Sequence, residues 1–489
     1  MYSEYILFFS YSMAQQDYIN AMRSLFSSDQ EVQDFLDSFR EPLPKTIKHL
    51  ASRIDANTFK KIFTQYGWNI SPTQFANFDD MYVVDRGDIT QALWKDFLHL
   101  LGFFYIQELA ASTSPHFMDI PDNWLILDMC ASPWGKTVQL ADYALAAGKN
   151  TLVIANEFNS KRIPALGSNL TRTAMYNTVI TKFNGAVFGT KHPEMFDAVL
   201  LDAPCSGEWT WFKSDAAFKR RNFENIHKIA RTQDMLLTSA IKACKPWWSI
   251  VYSTCTLNPI ENEQIIQNIL EKYTDILELE ELILPGAERG VTTFEDREII
   301  DPVIAQSCVR CRPHKQHTGW FFVAKLRKKT SQFYKLPDRS IDNNSLQHFA
   351  IGSDVQKEVD DYLSKLFGIT IDPEKYLFVR TPKNIYVTSP MFRHLHGMMA
   401  YDRVGVSIIK WSWPRDRRPE HACGLIFGSQ ATRNTQELDI FQVQEYVAQK
   451  DIPFPWEENG YRLLQRQWYG VWVGKIVDNV LKNKFVKVI

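Results

Sequence analysis

Apolar positions in this chain follow a helical spacing first, then an alternation of short apolar runs with amphipathic segments. Over 13–78, Tyr18, Met22, Leu25 and Phe26 recur at helical intervals, as do Val32, Phe35, Leu36 and Phe39, so the region predicts mainly helix. The prolines at Pro42 and Pro44 break that pattern. A further apolar stretch over 91–112 also predicts helix and ends in Phe104-Tyr105-Ile106-Gln107-Glu108. From Trp124 the rhythm changes, predicting strand 124–129, a Pro/Gly loop at 132–135, helix 136–147, strand 151–156, helix 160–172 and strand 176–182. The runs 196–201 and 249–252 predict two more buried strands, separated by a loop and a helix and followed by helix 260–272. Strands alternating with helices of this length make βαβ units, hence an α/β fold with a parallel sheet. The polar run 328–345 reads as a linker, and the mixed short strands after it predict one or two smaller domains.

Length and charge narrow this picture. A chain of 489 residues is too long for one core and predicts two to four domains. No apolar run reaches the roughly 20 residues that span a bilayer, so no membrane partner is expected. The first residues lack a basic segment, so no signal peptide is predicted, and a start at Met13 would make 1–12 an upstream extension. Seven cysteines, an odd number in a long chain, point to a reducing cytoplasm. The 55 basic residues balance 56 acidic ones, so a nucleic-acid partner must be sought in local patches. Three basic clusters qualify: Lys219-Arg220-Arg221, Lys325-Leu-Arg-Lys-Lys329 and Arg415-Asp-Arg-Arg418. Each reads as a solvated face, with phosphate contact as the alternative.

Candidate chemistry lies at the strand ends. Ligands of a parallel sheet sit beyond the carboxyl ends of its strands. Asp202-Ala203-Pro204-Cys205-Ser206 follows one predicted strand and Ser253-Thr254-Cys255-Thr256 the next, so Asp202, Cys205 and Cys255 should face one crevice. Either cysteine alone could simply pack in the interior. As a pair in polar contexts they point to covalent catalysis on an electrophilic ring, because a thiolate is a strong nucleophile near neutral pH. The loop Asp128-Met129-Cys130-Ala131-Ser132-Pro133-Trp134-Gly135-Lys136-Thr137 opens a helix after the first strand, where backbone amides can close on a ligand, and Glu157 ends the next strand within reach of ribose hydroxyls. Cys308, Cys311, His314 and His317 sit within ten residues, too close together to wrap a zinc ion, so that stretch predicts a surface loop and no metal.

Taken together, Leu127-Asp-Met-Cys-Ala-Ser-Pro-x-Gly-Lys-Thr137, Asp202-Ala-Pro-Cys-Ser-Gly-Glu208 and Ser253-Thr-Cys-Thr256 resemble the Nol/Nop/Sun family of RNA cytosine-5 methyltransferases. The likeness is to the bacterial branch of RsmF type, which modifies 16S ribosomal RNA; it is dense over 90–327 and thinner elsewhere. The resemblance implies a Rossmann-like domain dependent on S-adenosylmethionine at 113–327. An N-terminal RNA-binding region at 1–112 and a PUA-like α+β region at 346–489 would flank it, in a monomer. It also implies roles: Cys255 adds to C6 of cytosine, Asp202 hydrogen-bonds N3, and Cys205 assists loss of the C5 proton. Residues 130–136, Glu157, Asp202 and Asn184 would contact the cofactor, with Asn184 standing where the family usually has aspartate. Transfer RNA is the alternative substrate, and a non-catalytic ribosome-assembly factor the alternative function.

Tryptophan departs from the resemblance. Trp94, Trp134, Trp209, Trp211, Trp247, Trp248, Trp320, Trp468 and Trp472 stand where the family has glycine, and Trp124, Trp411 and Trp413 occupy turn-like positions. The chain has 14 tryptophans and only 21 glycines. Lys245-Pro-Trp-Trp-Ser249 is the plainest case, a predicted tight turn where Pro-Gly-Gly is natural. We read these tryptophans as UGA codons that some bacteria translate as glycine; the alternative is a divergent, inactive homologue.

Overall fold

The computed structural model describes residues 20, 22–38, 41–75, 78–87, 89, 91–132, 135–207, 223–295, 297–332, 348–412, 416–455, 457–467 and 469–483. The N-terminal region is built on an antiparallel sheet of β1 (Thr46–His49), β2 (Asn69–Pro72), β3 (Met81–Asp85) and β4 (Phe104–Ile106), in the order β2-β3-β1-β4. The helical reading of 13–78 therefore holds for Asp29–Ser38 and Ala56–Gln65 but not for β1 and β2. The reason lies in β1, whose Thr-Ile-Lys-His sequence carries no apolar alternation. Lys48 is buried there because its ammonium pairs with Asp80 and, at 3.1 Å, with Asp142. The apolar stretch 91–112 likewise breaks into short turns of helix around β4.

The α/β rhythm is borne out element for element. Strands β5 (Leu125–Asp128), β6 (Leu152–Asn156), β7 (Thr178–Thr181), β8 (Phe196–Asp202) and β9 (Cys244–Thr254) lie in the order β7-β6-β5-β8-β9, all parallel. Phe321–Lys328 adds antiparallel to β9, and Val309–Cys311 adds beyond it. Near-continuous apolar strands suit a sheet covered on both faces. Helices α1 (Gly135–Ala146), α2 (Phe223–Ala243) and α3 (Glu263–Lys272) belong to that cover. Chain order reverses at β5, between β6 and β8, which opens the crevice beyond Asp128 and Asp202.

Strand β9 begins five residues before the prediction. Phe196 pairs with Cys244 and Ala198 with Ser249, so the residues between form a bulge rather than a tight turn. Trp247 sits in it with φ 73°, the left-handed region that favours glycine, and is 69% exposed. Trp248 packs inward, edge-on to Trp124 with ring centroids 4.0 Å apart.

Within the stretch expected as a surface loop, Val309–Cys311 is instead a buried strand and Pro313–Gln316 a short helical turn. Cys308, Arg310 and Cys311 are inaccessible, and the described residues hold no cluster of metal-ligating side chains. Arg310 makes a bidentate ion pair with Glu263, both contacts 2.6 Å, and donates to the Leu257 carbonyl at 2.8 Å. Breaking such a pair leaves a charge buried and unpaired, so Arg310→Ala should cost about 3–5 kcal/mol in chemical denaturation. A loss below about 1 kcal/mol would show that Glu263 finds another partner.

Most of the run read as a linker, 333–345, lies outside the described residues; its first residue, Lys328, ends a strand and is buried against Glu194 at 2.8 Å. Of the remaining basic clusters, Lys325 and Arg327 pair with Glu280 and Asp119, and Arg417 with Glu358; Lys219, Arg220 and Arg221 lie outside the described residues. Beyond the linker come helix Ser353–Phe367, an antiparallel sheet over 377–419 and a mixed sheet over 435–482. They are not detached. Arg403–Val404 pairs with β7 at the edge of the central sheet. Leu438, Tyr446, Leu464, Trp472 and Leu481 complete the core that Ile47, Phe59, Phe63 and Phe104 begin. Arg53 donates to the carbonyls of Leu425 and Gly470, stitching the two ends of the chain together.

Candidate active site

Adjacent parallel strands β8 and β9 set the site. Asp202 pairs with Ser253 in register, and the Ala203 amide donates to the Ser253 carbonyl at 2.8 Å, so the two loops leave the sheet side by side. Cys205 and Cys255 consequently meet, Sγ to Sγ, at 3.1 Å. Cys255 is exposed and Cys205 half-buried. The contact divides the thiols electrostatically: the hydrogen bond from Cys205 holds the Cys255 thiol below its usual value, while Cys205 is driven well above, first by that bond and then by burial. The contact thus makes Cys255 the more acidic of the two thiols, with Cys205 placed to donate to it.

Asp202 is fixed from two sides. Lys136 Nζ lies 2.7 Å from one carboxylate oxygen, and the Ser253 hydroxyl donates to the other at 2.8 Å. Lys136 begins α1, where the 130–136 loop ends. That loop, Asp128, Asp202 and β4 with its neighbours Gln107 and Glu108 line a cavity of about 340 Å³. Cys130, Ala131, Ser132, Gly135 and Lys136 line it as the sequence implied; Pro133 and Trp134 lie outside the described residues. The Cys130 thiol faces it too, but burial pushes its pKa far up, so it is no third thiolate.

Glu157 and Asn184 stand at the ends of β6 and β7 but do not line this cavity. Glu157 accepts from the Asn159 amide at 2.6 Å, and Asn184 caps helix Gly185–Lys191 by accepting from the Ala186 amide at 3.0 Å. Asn156, beside Glu157, donates to the carbonyls of Met129 and Phe183 and accepts from the Phe183 amide, tying the loops after β5, β6 and β7 together.

The cavity contains polar atoms that the fold does not satisfy. Asp128 Oδ1 and Ser132 Oγ are buried without a hydrogen-bond partner among the described residues. Burial pushes the Asp128 carboxyl up to about 7, against the pull of the Thr137 hydroxyl at 2.6 Å. A cationic ligand such as S-adenosylmethionine fits these groups: it would draw the Asp128 charge out and occupy the orphaned acceptor. Its affinity should therefore rise several-fold from pH 6 to pH 8 by calorimetry, and Asp128→Asn should flatten that rise; a pH-independent parent affinity would remove Asp128 from the site. In the free protein the sign is opposite. An acid whose folded pKa is raised contributes stability below 3.8, and that contribution is lost as pH climbs toward about 7.

Sequence reasoning placed Asp128 and Gln107 in candidate motifs without giving them a role, and it missed the residues that brace the cysteine loops. Ser206 Oγ meets Thr256 Oγ1 at 3.1 Å, joining one loop to the other. Asn262 accepts from the Thr254 hydroxyl and donates to the Thr256 carbonyl at 2.9 Å, holding Cys255 between them. The available signal was Glu261-Asn262-Glu263, three consecutive polar residues soon after Cys255, and the structure buries all three.

The model of the family described as 16S rRNA methyltransferase RsmB/F matches residues 116–327. Ribosomal RNA small subunit methyltransferase F of Aeromonas salmonicida is 30% identical, over 96% of this chain and 96% of that protein. The protein of the same name from Erwinia tasmaniensis is also 30% identical, over 89% of this chain and 88% of its own length. Among solved structures, a methyltransferase homologue from Pyrococcus horikoshii superposes with a TM-score of 0.55 at 25% identity, over 65% of this chain and 96% of that one. A crevice at the sheet's switch point, paired thiols beside a lysine-held aspartate, and relatives that span nearly the whole chain lead to one assignment: the protein belongs to the RsmB/F family of RNA methyltransferases, which use S-adenosylmethionine.

Proposed function

We propose that this protein methylates C5 of a cytosine in 16S ribosomal RNA through a covalent bond between Cys255 and C6 of the base. The thiol pair carries this reading: an exposed Cys255 with lowered pKa, 3.1 Å from a Cys205 that keeps its proton, beside Asp202. C5 of cytosine is a poor nucleophile until a thiolate adds at C6 and makes the ring enamine-like. The target base must leave its stack to reach such a crevice. Asp202, steadied by Lys136 and Ser253, hydrogen-bonds N3 and stabilises the adduct. S-adenosylmethionine, held by residues 130–136 with Asp202 and, on its nucleoside side, Glu157 and Asn184, supplies the methyl group.

Once Cys255 is bonded to carbon, the thiolate that kept Cys205 protonated is gone. Cys205 then releases its proton to solvent and takes the C5 proton. The electron pair of the C5–H bond re-forms the C5–C6 double bond, the S–C6 bond breaks, and Cys255 leaves as the thiolate that began the cycle. Residues 1–112 and 346–489 serve as RNA-binding regions around the catalytic unit 113–327. Substrate choice lies in those flanks, and the relatives that match through them are small-subunit ribosomal RNA methyltransferases by name, which favours 16S over transfer RNA. Bisulfite sequencing of RNA from a deletion strain should show one cytosine in 16S ribosomal RNA losing its modification. Loss of a transfer-RNA site instead, or no loss, would sink the assignment.

A further inference from the structure

The Cys205 loop is gripped on both sides of its thiol by groups that do not line the cofactor cavity. Before Cys205, the Pro204 carbonyl accepts from Gln233 Nε2 at 3.0 Å. After it, the Ser206 amide donates to Glu261 Oε2 at 2.9 Å. Gln233 Nε2 also donates to that same Glu261 oxygen at 2.9 Å, closing the brace. Gln233 comes from α2, whereas Glu261 lies between the Cys255 loop and α3, its carbonyl accepting from the Tyr252 hydroxyl of β9 at 2.6 Å. Glu261 and Gln233 are both fully inaccessible. A buried carboxylate without ample hydrogen bonds would be costly. Here it is placed where it ties the loop of one cysteine to the strand of the other.

The geometry points to Glu261, acting with Gln233, as the positioning residue that holds Cys205 for product release and leaves adduct formation to Cys255. This rests on the covalent reading proposed above. One feature separates the roles. The brace holds the backbone on both sides of Cys205, while Cys255 is held by its own set, Asn262 and Thr254. The Glu261 charge raises both thiols, adding to the hydrogen bond and burial at Cys205 and opposing the bond that lowers Cys255, so the separation rests on the brace.

The test follows adduct formation and release separately, with full-length protein, an RNA substrate and S-adenosylmethionine, by denaturing gel and methyl incorporation. Glu261→Ala should form the protein–RNA species within about threefold of the parent rate yet release it on the order of 10–100-fold more slowly, as a displaced loop would. Glu261→Gln keeps an acceptor for Ser206 and Gln233, so it should restore release, with the rising limb of the release rate moved to lower pH. Gln233→Ala, which frees the Pro204 carbonyl, should slow release in the same direction and carries the test if Glu261→Ala does not fold. The inference is overturned if the alanine variants release product at the parent rate, if they fail to form the adduct, or if glutamine does not rescue. Cys205→Ala is the control: if it too leaves no adduct, the covalent reading fails and takes this inference with it, whereas adduct with Cys205→Ala but not with the alanine variants refutes the positioning role alone.

Discussion

Cys255→Ala should abolish methyl transfer, by at least on the order of 10³-fold, and leave no protein–RNA species on a denaturing gel. Cys205→Ala should form that species and accumulate it. The difference follows from the asymmetry of one contact, which lowers the Cys255 thiol and raises that of Cys205. A second consequence makes the result more specific. Without Cys205 the Cys255 thiol loses the hydrogen bond that lowers its pKa, so adduct formation in Cys205→Ala should need a higher pH than in the parent. Identical behaviour of the two variants would refute the division of labour.

The tryptophans give the other large effect, and its sign should differ between sites. Trp247→Gly should stabilise the protein by about 1–3 kcal/mol, because it relieves a left-handed backbone at an exposed position. Trp320→Gly and Trp472→Gly should each cost about 3–5 kcal/mol. Both indoles are 1% exposed; Trp320 stacks on Phe35 with centroids 5.2 Å apart, and Trp472 on His421 at 4.0 Å. Replacing all nine family-glycine positions together is therefore not uniformly favourable in this fold, and the glycine reading draws its structural support from Trp247. Thermal melts of the three single variants test this. If all three raise the melting temperature, the packing at 320 and 472 is built for glycine after all. A UGG codon at Trp247 would remove the recoding idea at its best-supported site.

The catalytic sheet and its two cysteines were legible in the sequence because buried parallel strands read as plain apolar runs and the reactive residues follow them directly. The N-terminal sheet was not, since β1 buries Lys48 and His49 and relies on distant carboxylates that no local pattern reveals. The same blindness turned Cys308–Cys311 into a loop: Arg310 looks solvent-seeking until Glu263, 47 residues earlier, is placed beside it. Glu261 and Gln233 were missed, and Asp128 was given no role, for a related reason, as their roles exist only across elements. Asn184 was named only through the family resemblance, which does not reveal its engagement as a helix cap.

The shared core of the two chain ends has a consequence for biosynthesis. Ile47, Phe59 and Phe63 emerge from the ribosome early, yet the residues that cover them extend to Leu481. At about 5–20 residues per second the nascent chain waits roughly 20–90 s with that apolar face open. Such a segment is a natural client for a chaperone that shields hydrophobic surface during translation, and a slowly translated message would lengthen its exposure to aggregation and proteolysis.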